Sequence, residues 1–327
     1  MKKYKVGIIS PSNNFLETFP NRQKEGIKNL NDINIDVVFS KNAIRNNDYT
    51  KKSIEERLEE FNEILDIDLD AIIASMGGYT SIQILDKINY DKIKNKDTII
   101  CGFSDITALL LAIYVKTKKE VLYGPVYTVN LCDYGGIDEY TKNSLLDNIE
   151  GKEIDYKPSK YVINEYIDWE ELEKNRIVKK QKNKDNDWIV IKDGNAKGKL
   201  IGGNLPTLLL ILGTEYLPIE EFNDRILFLE TCDTNILEFC SYLESLRLKG
   251  VLDRVKAIMF GKFDTDEMND SIKDFLTDYM KEYNIPIICN MDFGHVFPIL
   301  TLPIGREASL DCTKENIKFK VKKRIND

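Results

Sequence analysis

The 327-residue chain has a single histidine and two tryptophans, and none of its six cysteines stands in a CxxC pair. One histidine and dispersed cysteines do not form the ligand set of a zinc site, so we expect no metal and no other cofactor. No apolar run approaches the length of a membrane span, and the amino-terminal apolar stretch breaks at Pro11, too short for a signal peptide. We therefore expect a cytoplasmic protein with reduced thiols and no membrane partner.

The chain also has fewer basic than acidic residues. The 46 Lys and Arg residues against 54 Asp and Glu residues give a formal net charge of −8. A nucleic acid polymer is not expected as a partner, because phosphate binding needs concentrated basic residues and the lysines here alternate with acids. The length is sufficient for two domains, each with its own core.

Strand and helix signals alternate through the first half of the chain. Short apolar runs occur at 4–10, 35–40, 70–76, the start of 98–115 and 121–126, separated by stretches with helical periodicity. Such near-continuous apolar strands are typical of a parallel sheet with helices on both faces. The sequence therefore predicts an α/β amino-terminal domain over residues 1–155.

The pattern weakens in the polar stretch 156–187, which we interpret as a linker and mobile surface loop. Shorter strands then resume at 188–191, 198–202, 225–230, 256–261 and 286–290, with helices at 205–212 and 236–248. The carboxyl end is typical of hairpin strands without a helix. We expect a smaller, β-rich mixed domain over residues 188–327.

One strand-to-helix turn places polar residues between two apolar elements. The stretch TIICGFSDITALLLAIYV (98–115) contains Gly102, Ser104 and Asp105 in its turn. One interpretation is structural: the serine or aspartate is simply the N-cap of the helix, and the glycine simply allows the backbone to turn. The alternative is a nucleophile elbow that presents the Ser104 hydroxyl above the sheet, although Ile106 replaces the second glycine of G-x-S-x-G. The motif alone leaves both interpretations open.

A serine nucleophile needs a base and an orienting acid. His295, in the loop sequence NMDFGHVFP, is the only histidine available, and Glu230 closes the apolar strand RILFLE, where an unpaired charge is costly. An ordinary loop histidine and a solvated strand-end glutamate are the alternatives. The order Ser104, Glu230, His295 is that of hydrolases with an elbow serine.

An oxyanion hole needs backbone N–H groups aimed at developing negative charge. Asp105, after the candidate nucleophile, supplies one such group, and Gly77–Gly78 in SMGGYTS can supply the second from a neighbouring strand-to-helix turn. The competing interpretation of SMGGYTS is a phosphate-binding loop, but it lacks both G-x-G-x-x-G and the P-loop lysine.

Six segments follow one another in a characteristic order: SPSN, GGYTSIQIL, GFSDITALL, GKLIGGNLPTLLLILGTEY, ILFLE and FGHVFPILTLPIG. Together they resemble the LD-carboxypeptidase family of serine peptidases, which includes a branch of microcin C immunity peptidases. The resemblance implies a flavodoxin-like amino-terminal domain, a smaller β-rich carboxyl-terminal domain, a site between them without metal, and a homodimer. It implies these site residues: Ser104 as nucleophile, His295 as general acid and base, Glu230 as its orienting acid, the backbone amides of Gly78 and Asp105 as oxyanion hole, and Gly77, Tyr79, Trp169 and Asn204 as substrate contacts.

The substrate is harder to predict. The long connection with Trp169 and Trp188 looks more like the microcin branch, which cleaves a peptidyl or aminoacyl group from a modified nucleotide, and an aromatic ring there can stack on a base. Interdomain packing is the alternative for both tryptophans, and we favour it for Trp188. The second candidate function is a murein LD-carboxypeptidase that releases terminal D-alanine from a small peptide in cell-wall recycling. A third, of a different class, is a non-catalytic protein that binds a small ligand.

Overall fold

The computed structural model describes residues 2–14, 16–41, 43, 51–163, 167–180, 182–183, 186–263, 266–313 and 315–325. Within the predicted connection 156–187, residues 164–166, 181 and 184–185 lie outside the described residues. In the part of the chain that the structure describes, no helix is both long and apolar enough to cross a bilayer.

Regular elements cover most of the described chain. The strands are β1 (Tyr4–Ile9), β2 (Ile35–Phe39), β3 (Ala71–Ala74), β4 (Ile99–Gly102), β5 (Val121–Tyr123), β6 (Ile154–Tyr156), β7 (Tyr161–Val162), β8 (Lys182–Asn183), β9 (Ile189–Lys192), β10 (Gly194–Asn204), β11 (Ile226–Glu230), β12 (Ala257–Gly261), β13 (Ile287–Met291), β14 (Leu302–Ile304), β15 (Glu307–Thr313) and β16 (Asn316–Val321). The helices are α1 (Pro20–Asp32), α2 (Lys51–Ile64), α3 (Tyr90–Lys94), α4 (Ile106–Thr117), α5 (Glu139–Ile149), α6 (Trp169–Asn175), α7 (Leu205–Ile211), α8 (Ile236–Leu248) and α9 (Asp266–Tyr279). Short 3₁₀ helices span Ser81–Lys87 and Ile219–Phe222.

The amino-terminal sheet has the strand order β14-β5-β4-β3-β1-β2. Strands β1 to β5 are parallel to one another, and β14 pairs antiparallel with β5 at the edge. The order 2-1-3-4-5 is that of flavodoxin-like sheets, whose ligands bind at the carboxyl ends of the strands. The predicted parallel-sheet domain is confirmed.

The second sheet has the order β6-β16-β15-β10-β11-β12-β13-β9. Its centre, β10 to β13, is parallel and its flanking strands are antiparallel, which confirms the predicted mixed domain. Each sheet takes a strand from the other part of the chain, because β14 belongs to the first and β6 to the second. The boundaries at residues 155 and 188 therefore stay a prediction.

Helix α4 lies between the two sheets. All but two of its residues are buried, and its residues share one hydrophobic cluster with strands β10 and β11. A helix that is apolar on every side must be covered on every side, which explains the run ITALLLAIYV. The nucleophile candidate Ser104 therefore precedes a helix embedded in the core.

Three described helices, α5, α6 and α9, go beyond the predicted elements. In α9 and just after it, Ile272, Leu276 and Met280 recur every four residues and are buried, so the helical period was present in the sequence. Helix α6 lies inside the segment predicted to be a linker and loop, where Asp168 caps it by accepting from the Glu170 N–H.

Candidate active site

The turn between β4 and α4, residues 102–106, is here called the nucleophile turn. Ser104 has φ of +61°, a left-handed conformation that residues other than glycine rarely adopt. The helix starts at once, since the Thr107 N–H donates to the Ser104 carbonyl at 2.9 Å. A β-carbon added to Gly77 would lie 2.8 Å from Ser104 Cβ and 2.9 Å from Ser104 Oγ. The half-buried serine is thus presented against a neighbouring turn that only glycine fits.

The three candidate triad residues lie in one hydrogen-bonded line. His295 Nε2 is 3.1 Å from Ser104 Oγ, and His295 Nδ1 is 2.7 Å from Glu230 Oε2. Ser104 follows β4, Glu230 ends β11 and His295 follows β13, so all three lie at carboxyl ends of parallel strands. The two sheets therefore bring together side chains 191 residues apart in sequence.

The Glu230 carboxylate is 1% exposed and has donors on both oxygens. Tyr123 Oη donates to Oε1 at 2.5 Å, and Asn204 Nδ2 donates to the same oxygen at 3.0 Å. Burial by itself would raise the pKa of Glu230, but the adjacent His295 and the hydrogen bonds from His295, Tyr123 and Asn204 lower it below the usual value. The carboxylate is therefore held in its ionised form.

The His295 imidazole faces opposing influences. Burial alone would lower its pKa, but the Glu230 carboxylate and a hydrogen bond with Cys232 outweigh burial and hold the pKa well above 6.5. The Phe103 ring packs edge-on against the imidazole, with centroids 4.9 Å apart. The ring is therefore fixed in position by contacts on several sides.

Of the predicted oxyanion-hole residues, Asp105 lies in the nucleophile turn, and Gly77, the residue before Gly78, packs against that turn. The position of a β-carbon on Gly77 is 3.6 Å from the Asp105 backbone nitrogen, so the Gly77–Gly78 turn and the Asp105 amide are neighbours. The Asp105 carboxylate does not cap α4. It accepts from Ser12 Oγ at 2.6 Å and from the Ser81 N–H at 2.9 Å, so the interpretation of its side chain as a helix cap is wrong.

The other predicted substrate contacts are placed differently from one another. Tyr79 is 82% exposed. Asn204 is 7% exposed, and its Oδ1 caps α7 by accepting from the Thr207 N–H while its amide serves Glu230. Of the four predicted substrate contacts, Asn204 thus contacts the candidate triad residue Glu230, and Gly77 lies close to Ser104.

The two tryptophans have different surroundings. Trp169 is the first residue of α6, and the Arg22 guanidinium carbon is 4.9 Å from the centre of its ring. Phe19 packs against the same ring at 5.5 Å. Trp188 is 5% exposed, and its Nε1 donates to Asp292 Oδ2 at 2.9 Å. Trp188 is therefore packed, but against residues of the carboxyl-terminal part, and its predicted place between the domains stays a prediction.

The segment 292–301, here called the histidine loop, is held from several distant parts of the chain. Asp292 pairs with the buried Lys262, and it also accepts from Asn186 Nδ2 at 2.8 Å and the Ser159 N–H at 3.1 Å. The Thr301 N–H donates to Ser144 Oγ at 2.8 Å. Helix α5 and the connection before β9 therefore fix the loop that bears His295.

Sequence reasoning missed Tyr123, Asp292 and the serines that hold Asp105. Tyr123 ends β5 at the same sheet edge as Ser104, so the strand-end argument that found Glu230 applied to it as well.

Among the residues that the structure describes, no group of three or more His, Cys, Asp or Glu could hold a metal ion.

Comparison with known proteins shows what the chain is similar to. Residues 6–124 match the model of the LD-carboxypeptidase N-terminal domain, and residues 197–310 match that of the C-terminal domain. The chain is 31% identical to the microcin C7 self-immunity protein MccF of Escherichia coli, over 96% of this chain and 92% of that protein. It is 24% identical to a probable murein peptide carboxypeptidase of Bacillus subtilis, over 95% of this chain and 89% of that one. The solved structure of MccF in complex with aspartyl sulfamoyl adenosine superposes with a TM-score of 0.89 at 30% identity, covering 99% of this chain and 97% of that one.

Proposed function

The chain belongs to the LD-carboxypeptidase family of serine peptidases, and we propose that it hydrolyses peptidyl or aminoacyl nucleotides with Ser104 as nucleophile. The bond cleaved joins an acyl group to the nitrogen of an amide or phosphoramidate-type linkage. The observation that carries the proposal is the continuous line from Glu230 through His295 to Ser104, with separations of 2.7 and 3.1 Å.

The chemistry follows from that line. Neutral His295 accepts the Ser104 proton at Nε2 as Oγ attacks the acyl carbon, and the ionised Glu230 stabilises the imidazolium that forms. The imidazolium then gives its proton to the departing nitrogen. Water, activated by the same imidazole, hydrolyses the acyl-enzyme in the second half of the reaction.

The oxyanion that develops needs donors next to the serine. We assign this role to the backbone N–H groups of Gly78 and Asp105, because the glycine turn and the Asp105 amide adjoin Ser104 Oγ. The Asp105 carboxylate, held by Ser12 and Ser81, fixes the orientation of its own amide.

The substrate class rests on the relatives. MccF has been solved with aspartyl sulfamoyl adenosine, an aminoacyl nucleoside, and is similar over nearly the whole chain. Murein peptide hydrolysis is the second candidate, supported by the Bacillus subtilis carboxypeptidase relative. A mass-spectrometric assay that offers aspartyl sulfamoyl adenosine and a murein LD-tetrapeptide side by side decides between the two.

Ser104→Ala tests the assignment of the nucleophile. It removes the attacking oxygen while leaving the turn, so turnover should fall on the order of 10³-fold or more. A fluorophosphonate should label the unaltered protein at Ser104 and leave the variant unlabelled. A variant that keeps a tenth of the activity would overturn the mechanism, and ligand binding without any labelling would favour a non-catalytic binder.

Trp169→Ala tests the nucleotide proposal. If Trp169 stacks on the base of the leaving group, KM for aspartyl sulfamoyl adenosine should rise by about 10-fold or more, since stacking contributes roughly 1–3 kcal/mol. KM for the murein peptide, which has no base, should stay unchanged. Equal losses on both substrates with a lower Tm would show that the ring only packs against Phe19 and Arg22.

A further inference from the structure

The hydroxyl of Tyr123 touches both ends of the proposed catalytic line. It donates to Glu230 Oε1 at 2.5 Å, and it accepts from the Ser104 backbone N–H at 3.4 Å. Side chains and backbone thus close a ring from Ser104 to His295, Glu230, Tyr123 and back to Ser104. We propose that Tyr123 is a positioning residue that orients Glu230 and sets the basicity of the Glu230–His295 pair, an inference that rests on the proposed function.

The first argument concerns the geometry of the carboxylate. Glu230 uses Oε2 for His295, so its rotation is fixed only if Oε1 is also held. Tyr123 and Asn204 are the donors to Oε1, and the tyrosine makes the shorter bond, 2.5 against 3.0 Å. Charge-assisted hydrogen bonds of this kind are stronger than neutral ones. Tyr123 is therefore the principal constraint on the side of Glu230 that faces away from the histidine.

The second argument concerns the donor itself. Tyr123 is 0% exposed, and its ring packs against Phe228 with centroids 5.4 Å apart. Burial, reinforced by the negative charge of Glu230, raises the pKa of its phenol well above the ordinary value. The phenol keeps its proton throughout the working pH range, so it acts as a donor to Glu230 and not as a proton acceptor.

The third argument concerns the two sheets. Tyr123 and Ser104 belong to the amino-terminal sheet, whereas Glu230 and His295 belong to the other sheet and its loops. The ring therefore crosses between the sheets twice, once through His295 and Ser104 and once through Tyr123 and Glu230. The contact between Tyr123 and Glu230 therefore fixes the distance between His295 and Ser104 over which the proton is transferred.

Removing only the hydroxyl should change a pH profile. Tyr123→Phe keeps the ring between its neighbours and takes one donor from the anionic carboxylate. The proton affinity of the Glu230–His295 pair should then rise, and the acidic limb of the fluorophosphonate labelling rate should move up by about 0.5–1 pH unit. Labelling of Ser104 at neutral pH should slow by about 10-fold, the scale of partners that orient a reacting group.

The titration of the imidazole gives an independent readout. His295 is the only histidine, so its NMR resonance is unambiguous and its pKa should rise in the variant by the same amount. Tyr127→Phe is the matched control, because Tyr127 is also 0% exposed and donates to the Gln23 carbonyl at 2.7 Å. It should lower Tm without moving the labelling profile.

Two further variants guard against a simple folding defect. Site-specific 3-fluorotyrosine at position 123 keeps the hydroxyl but makes it a stronger donor, so the pKa of His295 should fall. In a Glu230→Gln background, Tyr123→Phe should have no further effect on the pH profile, because the carboxylate through which it acts is gone.

The outcomes separate the two proposals. An unchanged labelling rate and His295 pKa in Tyr123→Phe, or shifts of the same sign in Tyr123→Phe and the fluorinated protein, would overturn the role of Tyr123 and leave the triad intact. Failure of a fluorophosphonate to label Ser104 in the unaltered protein would instead overturn the proposed function.

Discussion

The nucleophile turn and the histidine loop present the proposed nucleophile and the proposed base in different ways. The turn spans residues 102–106 and is shaped by its own backbone, by the left-handed φ of Ser104 and by the start of α4. Within the histidine loop, residues 292–301, the Leu300 N–H donates to the Asp292 carbonyl at 2.6 Å, but the loop is also held by distant segments. Hydrogen bonds from Ser159, Asn186 and Trp188 to Asp292 fix it from parts of the chain more than 100 residues away.

The difference predicts how far the effect of a substitution extends beyond the site. The turn also has partners outside itself, since Asp105 accepts from Ser12 and Ser81 and the Ser104 N–H donates to Tyr123. These are hydrogen bonds of Ser104 and the residue next to it, so a change in the turn should affect mainly catalysis. The histidine loop depends on a buried ion pair and on hydrogen bonds from several elements, so changes there should affect both stability and catalysis. The variants below separate the two cases.

Among variants that keep the three candidate triad side chains, the largest expected effect on activity comes from Gly77→Ala, which acts on the turn. The added methyl would lie 2.8 Å from Ser104 Cβ, so the serine or the glycine turn must move. Labelling and turnover should fall by about 100-fold or more, since small misplacements of reacting groups are costly. Tm should fall by no more than in the control below, because each added methyl meets neighbouring atoms at under 3.0 Å. Gly7→Ala is the matched control, because its methyl would meet Leu69 and Ile64 at 2.7 and 2.9 Å, far from the site, and should lower Tm but not turnover.

Asp292→Asn acts on the histidine loop. It breaks the buried ion pair with Lys262, and it places an amide N–H₂ group against N–H groups that donated to the carboxylate. The free energy of unfolding should therefore fall by about 3–5 kcal/mol. Turnover should fall by about 10-fold as His295 loses its fixed position. Asp311→Asn, on an exposed position of β15, serves as control for chemical denaturation and kinetics. A fall in activity with unchanged stability would contradict the contrast drawn between loop and turn.

The pH dependence of activity tests the protonation state of His295. The pKa of His295 is raised well above 6.5, and the proposed mechanism requires the neutral imidazole, so activity should rise with pH through a midpoint above 6.5. A raised folded-state pKa stabilises the protein below the unfolded value, and this contribution is lost as pH rises through the folded pKa. Activity should therefore rise while this part of the stability falls. A kinetic midpoint that differs from the NMR titration of His295 would identify another base.

The smallest expected effect on activity comes from Glu60→Gln, on the amino-terminal side. Burial is the main cause that raises the pKa of Glu60 from 4.5 to about 7, although Ser40 and Ser10 donate to it. Its contribution to stability is complete below pH ~4.5 and should be lost between there and pH ~7, on the order of 3 kcal/mol. Chemical denaturation across that range should show a flatter profile for the variant, with turnover unchanged. An identical pH dependence in both proteins would contradict the assignment.

Much of the candidate site was predictable because its residues obey local rules. Ser104 stands in a strand-to-helix turn, Glu230 ends an apolar strand, and His295 is the only histidine. Tyr123 obeys the same strand-end rule but was overlooked, because its partner Glu230 lies 107 residues away. The use of the Asp105 carboxylate also depends on distant partners, Ser12 after β1 and Ser81 at the start of a 3₁₀ helix, which no local pattern identifies.

The sequence by itself determined the parallel strands of the first sheet, the mixed character of the second and the glycine turns at their edge, because apolar runs and turn residues act over short distances. Only the tertiary structure decided that β14 joins the first sheet and β6 the second, and that Asp292 fixes the histidine loop. It also decided that the Tyr123 hydroxyl lies between Ser104 and Glu230. These are contacts between segments far apart in the chain, and their free energy appears only once both sheets enclose α4 and exclude water from the charges between them.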